Sequence, residues 1–264
     1  MAEISQFLFD NLWSAGVGFI ILAMIFSPLE WILPARPGQK FLRPEWFTDL
    51  SFFLGQYLLW GGLTVELLGI LQSTLGGLLF GAQVAQLPIV LQLVCAVLLG
   101  DLCIYWVHRL QHSWDLLWRF HSVHHTAEHL DWLAAHREHP IDGLITQTAI
   151  NLPALLLGIS LNAITWLILF RGLWAIYIHA NVRLPIGPLR VLIGSPEIHH
   201  WHHARDSTPC NFANLSPLMD VLFGTYVCKD HEPEAYGIQE IHPRSYLGQL
   251  FHALTRPSRD FHRG

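Results

Sequence analysis

The chain has 264 residues, 52% of them hydrophobic and 13% charged, with a formal net charge of −5, against about 25% charged residues in an ordinary soluble domain. That balance and a mean hydropathy of +0.36 weigh against a soluble all-helical protein, whose surface needs about twice this charge. A pI near 6.4 excludes the basic face that a nucleic-acid partner requires.

Taken in chain order, the first apolar run covers 12–33 and is stopped by Pro34 and the basic residues Arg36, Lys40 and Arg43. A run of about 20 apolar residues crosses the hydrocarbon core as a helix. A signal peptide would carry its basic residues before the apolar run and end at a small-residue cleavage site. Here the basic flank follows the run, so it reads as an anchor that stays. The second and third spans are expected over 47–71 and 88–107, joined by a link over 72–87 that has no Lys or Arg. The apolar stretch from Ile141 to Ile178 is too long for one crossing, and Pro153, Gly158 and Asn162 mark a turn that splits it into a hairpin. Positive residues collect on the cytoplasmic side of a membrane. With the N-terminus outside, all of the 15 Lys and Arg except Arg171 fall on inner segments. The expected fold is therefore an all-α integral membrane protein with four to five transmembrane helices and a cytoplasmic helical cap. Its expected division is anchor helices over 1–87, a catalytic domain over 88–230 and a cytoplasmic tail over 231–264. The four cysteines form no C-x-x-C pair and read as apolar filler or reduced thiols.

Of 17 histidines, none precedes Trp106. They gather in three clusters: His108 with His112, His121 with His124 and His125, and His199 with His202 and His203. Residues three and four apart share one helix face, so each cluster grips a metal from one side. Together they supply too many imidazoles for one ion, whereas zinc takes four ligands, or three and a water. Imidazole suits iron, copper, zinc and nickel alike. Asp101 lies seven residues before His108, inside a span where a lone carboxylate is costly. It is expected to accept the free ring N–H of a ligating histidine, with Asp131, Glu138 and Asp142 as weaker candidates for that role. Glu66 and Arg171, also inside spans, are expected to pair. Trp106, Trp114, Trp118, Trp132 and Trp201 read as an interfacial aromatic belt. The tail histidines His242, His252 and His262 are too widely spaced to be ligands.

The order H-x3-H, H-x2-H-H, H-x2-H-H resembles the fatty acid hydroxylase and sterol desaturase superfamily. The segment DLCIYWVHRLQH (101–112) looks like that family's first box with its preceding acid, HREHPIDG (136–143) like its R-x-H-P segment, and NFANLSPLMDVLFGTYV (211–227) like its closing signature. The resemblance implies a di-iron centre of two Fe ions that oxidises a lipid C–H bond with O2, by hydroxylation or desaturation. Carried over, the ligands are His108, His112, His121, His124, His125, His199, His202 and His203, with His179 matching a ligand on the last span. Ala175 stands where some members have a further histidine, and His139, Asn181 or water would fill that place. His200 fits no ligand position. No haem, flavin or iron–sulfur motif is present, so a separate electron donor of ferredoxin, rubredoxin or cytochrome type is implied. The rival enzyme reading, a zinc-dependent membrane hydrolase, needs a general-base carboxylate as in H-E-x-x-H, which is absent. A metal transporter would spread its histidines along the spans instead of gathering them at one face.

Overall fold

A computed structural model describes residues 2–184 and 186–256, with side chains from Asp10 onward. His262 and the end of the expected tail lie outside the described residues. The described chain is all-helical apart from two isolated bridges, Pro34 to Val182 and Ala204 to Tyr236. In order, the helices are α1 (Ala2–Ile32), α2 (Trp46–Gly55), a π-helical segment (Gln56–Trp60), α3 (Gly61–Leu75), α4 (Gly81–Val84), α5 (Ile89–Ser113), α6 (Asp115–His125), α7 (Pro140–Leu156), α8 (Leu161–His179), α9 (Pro196–His202), α10 (Leu218–Phe223) and α11 (Tyr246–Thr255).

Four helical stretches are long and apolar enough to cross a membrane: Asp10–Ile32, Trp46–Leu75, Ile89–Ser113 and Leu161–His179. Between 6% and 28% of their most apolar windows is buried within the protein, so apolar side chains such as Met24, Val65 and Trp166 face outward. Such a surface has its natural solvent in lipid. The second stretch runs unbroken through α2, the π segment and α3. The hairpin turn lies at 157–160, where Gly158 adopts a φ of +77° and Ser160 caps α8 by accepting from the Ala163 N–H. Pro153 and Asn162 lie inside α7 and α8, not in the turn.

The helices pack in two layers of contact. Leu68, Ala96, Leu155 and Ile164 join α3, α5, α7 and α8, while Ala15, Phe26, Phe53 and Ile176 join α1, α2 and α8. At Gly100 a side chain would meet the Ile150 carbonyl at 2.7 Å, so glycine permits the close crossing of α5 over α7. Beyond the ends of α5 and α8, the short helices and connecting segments form a cap. A buried ion-pair network ties it to α2: Arg43 bridges Asp49 at 2.7 Å and Asp131 at 2.6 Å, and Arg137 bridges Asp49 at 2.5 Å and Glu45 at 3.1 Å. Removing one member of such a network would leave an uncompensated buried charge.

The tryptophans do not make one belt. Trp106 and Trp114 are exposed, whereas Trp118, Trp132 and Trp201 are buried. Trp118 packs its indole on the rings of His112 and His125.

Candidate metal centre

Helix α5 continues past the expected span end to Ser113, which puts His108 and His112 on one unbroken helix face. Trp114, in extended conformation, reverses the chain into α6, which carries His121, His124 and His125 back against them. His179 is the last residue of α8. Pro196 starts α9, its missing N–H costing nothing in the first turn, and this short helix delivers His199 and His202, with His203 as its C-cap.

These nine imidazoles form two groups. His108, His112, His121, His125 and His202 make the first, and His124, His179, His199 and His203 the second; within each, one ring nitrogen per residue lies within 4.8 Å of all the others. The groups are side by side, since the His125 and His203 rings stack at 4.4 Å.

The proton on each ring can be assigned from its partners. A carbonyl oxygen only accepts, so a ring nitrogen bonded to one carries the hydrogen. The Nδ1 of His108 donates to the Phe212 carbonyl at 2.8 Å, that of His124 to Arg137 at 3.1 Å, that of His179 to Ala175 at 2.6 Å, and that of His202 to Cys210 at 2.7 Å. His121 gives its Nδ1 proton to Asp142 Oδ2 at 2.9 Å. In neutral rings this leaves Nε2 as a bare lone pair. Yet His108 Nε2 faces His121 Nε2 at 3.0 Å, and His124 Nε2 faces His179 Nε2 at 3.0 Å. Two lone pairs at that distance repel unless a cation lies between them.

In the second group that cation would not be a proton. Burial, with neighbouring imidazoles adding to it, pushes His125, His199 and His203 well below the usual histidine range. Burial likewise holds His124 at about 4 and His202 at about 3. These five rings are therefore neutral near pH 7, the form that binds metals. Buried Nε2 atoms of His112 and His202 have no protein partner. The contacts His199–His179, His203–His199, His203–His179 and His125–His121 measure 3.0, 3.1, 3.2 and 3.2 Å. The donor set, five imidazoles in one group and four in the other, would hold two ions.

Three expectations from the sequence are corrected here. Asp101 does not support a ligand: it pairs with Arg171 at 2.7 Å. Seven residues along a helix span about 10 Å, which puts its carboxylate one turn too far from the His108 ring. Arg171 is thereby taken, and Glu66 is exposed instead of paired with it. The supporting carboxylate is Asp142, which also accepts from Gln111 Nε2 at 2.6 Å. Provisional ligand His139 is absent from both groups; its Nδ1 caps α7 by accepting from the Ile141 N–H, and its ring packs on Phe120. Asn181 is likewise occupied, exchanging hydrogen bonds with the Arg36 backbone. His200, left out of the ligand set, binds Glu232 Oε2 at 2.7 Å and the Ala180 carbonyl at 3.2 Å.

Sequence reasoning missed the carbonyl anchors, because any residue type supplies a carbonyl. The closing signature contains Asp220 but not its role: it accepts from the Phe212 and Ala213 N–H groups at 2.7 and 2.9 Å and so fixes the carbonyl that orients His108.

A family model described as fatty acid hydroxylase matches residues 93–225, the stretch that contains both histidine groups and Asp220. The chain belongs to that family. Among curated relatives, an ornithine lipid hydroxylase of Rhizobium tropici is 29% identical over 66% of this chain and 54% of its own. The alkylglycerol monooxygenase of Danio rerio is 30% identical over 52% of this chain and 31% of its own. A Δ7-sterol 5(6)-desaturase of Gibberella zeae is 28% identical over 49% of this chain and 36% of its own. The chain thus spans about half or less of the length of these relatives. No solved structure matches it.

Proposed function

We propose that this protein is a membrane-bound non-haem di-iron oxygenase that hydroxylates a C–H bond of a lipid, using O2 and electrons from a separate donor. The observation that carries the reading is two pairs of opposed bare nitrogens, one pair in each histidine group, each at 3.0 Å. A metal cation in each group would relieve its pair, which supports two ions. Family membership supports iron, and the names of the relatives are those of lipid-oxidising enzymes. Two of the three insert oxygen by name, which favours hydroxylation over desaturation.

Bound iron would supply the oxygen activation and C–H oxidation that no side chain performs. The chain's own contribution is ligation and exclusion of water. His108, His112, His121, His125 and His202 would hold one ion, and His124, His179, His199 and His203 the other. Asp142 and the four carbonyls hold the Nδ1 protons of the rings they touch, so those rings offer Nε2 without reorganising. Trp118 and Phe212 cover His112, keeping the first group dry.

With the N-terminus outside, the histidine site and C-terminus lie on the cytoplasmic side, where a ferredoxin-, rubredoxin- or cytochrome-type donor docks. The distribution of Lys and Arg along the sequence supports that orientation.

The test is metal analysis of the detergent-purified protein together with mass spectrometry of total lipids from cells with and without it. About two irons per chain and a lipid heavier by one oxygen atom are expected. A lipid lighter by two hydrogens would reassign the reaction to desaturation. Zinc alone, with no oxidised lipid, would overturn the reading.

A further inference from the structure

Beside the metal centre lies a cavity of about 400 Å³, within the range of sites that enclose small ligands. Its walls come from α2, the π segment, α3, α7 and α8. The segment 136–143 borders both the cavity and the histidines. On one side the Arg137 carbonyl and Asp142 hold His124 and His121. On the other, His136, Glu138, Pro140 and Gly143 line the cavity.

The π segment is built into this wall. The Gly61 N–H reaches back five residues to the Gln56 carbonyl, and this wider turn sets Gln56, Trp60 and Gly61 against the cavity. Such bulges recur at functional sites. Apolar walls come from Trp60, Val65, Leu68, Leu161 and Ile168. The mouth lies between α3 and α8, where Val65, Thr165 and Gly172 are exposed within helices long and apolar enough to cross a membrane. A lipid can therefore enter sideways from the bilayer.

The polar end of the cavity carries no positive charge: none of its lining residues is Lys or Arg. His136 already donates its Nδ1 proton to Gln56 Oε1 at 2.8 Å. Glu138 makes no hydrogen bond or ion pair with any described residue, although its half-buried carboxyl group lines the cavity. Burial, with Asp142 nearby, raises Glu138 to about 8, so at neutral pH it is a carboxylic acid, able to donate and to accept. An anionic head group would find no counter-charge here, whereas an uncharged hydroxyl or amide would find Glu138 and Gln147.

We propose that this cavity is the lipid substrate site, and that Glu138 holds an uncharged hydroxyl or amide group of the lipid instead of an anionic head group. The assignment rests on the oxygenase reading for the word substrate, but the binding itself does not need iron.

The test uses the full chain in detergent micelles, with and without iron, and measures binding of hexadecanol, hexadecanamide and hexadecanoate at neutral pH. Hexadecanol and hexadecanamide should bind at least about tenfold more tightly than hexadecanoate. Glu138→Leu should remove that preference, and Glu138→Gln should keep most of it. Gly172→Phe should abolish binding of all three with iron content unchanged; Gly172 lines the cavity and a Cβ there meets nothing within 4 Å, so a ring is added at the mouth without displacing backbone. Equal or tighter binding of hexadecanoate by the natural sequence, or unchanged binding in Glu138→Leu or Gly172→Phe, overturns the proposal. Selective binding by a protein that takes up no iron and oxidises none of these lipids would instead overturn only the oxygenase reading.

Discussion

Replacing Asp142 by Asn separates the residue that orients the first histidine group from the one that merely resembles it in the sequence. Asp142 is 2% exposed and divides its oxygens between His121 Nδ1 at 2.9 Å and Gln111 Nε2 at 2.6 Å. After Asp142→Asn the new amide oxygen can still accept from His121, which turns the amide NH2 toward Gln111. Gln111 can answer by rotating its own amide, because its Oε1 is buried and without a partner. The fold is therefore retained and the change is the loss of negative charge behind one ligand. Losing such a support typically costs about ten- to a hundredfold in metal affinity, or about 1.4 to 2.8 kcal/mol. In a chelator titration of iron-loaded protein, one iron should leave at about ten- to a hundredfold lower chelator while the other leaves as before. Asp101→Asn is the control: the new side chain can still accept from Arg171, and its chelator curve should overlay that of the natural sequence. A normal curve for Asp142→Asn, or a shifted one for Asp101→Asn, would refute the tautomer assignment for His121.

Asp101→Leu should cost about 3–5 kcal/mol by leaving Arg171 buried without its partner, and adding Arg171→Met should restore much of it; thermal unfolding in detergent measures both. Asp220→Ala orphans the buried N–H of Phe212, at about 1–3 kcal/mol, and the half-buried one of Ala213, and frees the carbonyl that orients His108. It should lower both melting temperature and iron content. Burial holds His124 at about 4 and His202 at about 3, against about 6.5 in an unfolded chain. Below about pH 6.5 the unfolded state takes up protons that the folded state refuses. The metal-free protein should therefore lose up to about 1.4 kcal/mol per pH unit for each such histidine. Denaturant titrations from pH 7 to about pH 4 would show the fall, and a flat profile would contradict the burial of these rings.

The spans were legible because lipid-facing helices must be apolar nearly all round, and the turn at Gly158 because that residue takes a positive φ. What the sequence hid was where a helix stops being membrane and becomes site. Hydropathy ends the third span at Val107, but the backbone runs on to Ser113, and that extra stretch holds the first histidine pair. The tryptophans misled for a related reason. A ring at the membrane boundary and a ring packed on a histidine look alike in sequence, and Trp118 is the second kind.

At the site, the histidines were legible because i, i+3 and i+4 spacing fixes which rings share a face, whatever the rest of the fold does. The supporting groups were not, because support is a tertiary property. Asp101 has the right chemistry and helical phase, but lies about 10 Å along the axis from His108 and is claimed by Arg171. Asp142 sits 21 residues from the ring it holds, at the start of a different helix. The carbonyls of Phe212, Arg137 and Cys210 carry no side-chain signature at all. This division has a chemical consequence. Ligands chosen by residue type set which metals are admissible, whereas partners chosen by the fold set which nitrogen of each ring is free. In this protein the second decision makes the first one usable: with Nδ1 protonated, the opposed Nε2 lone pairs have a cation as their remaining favourable partner.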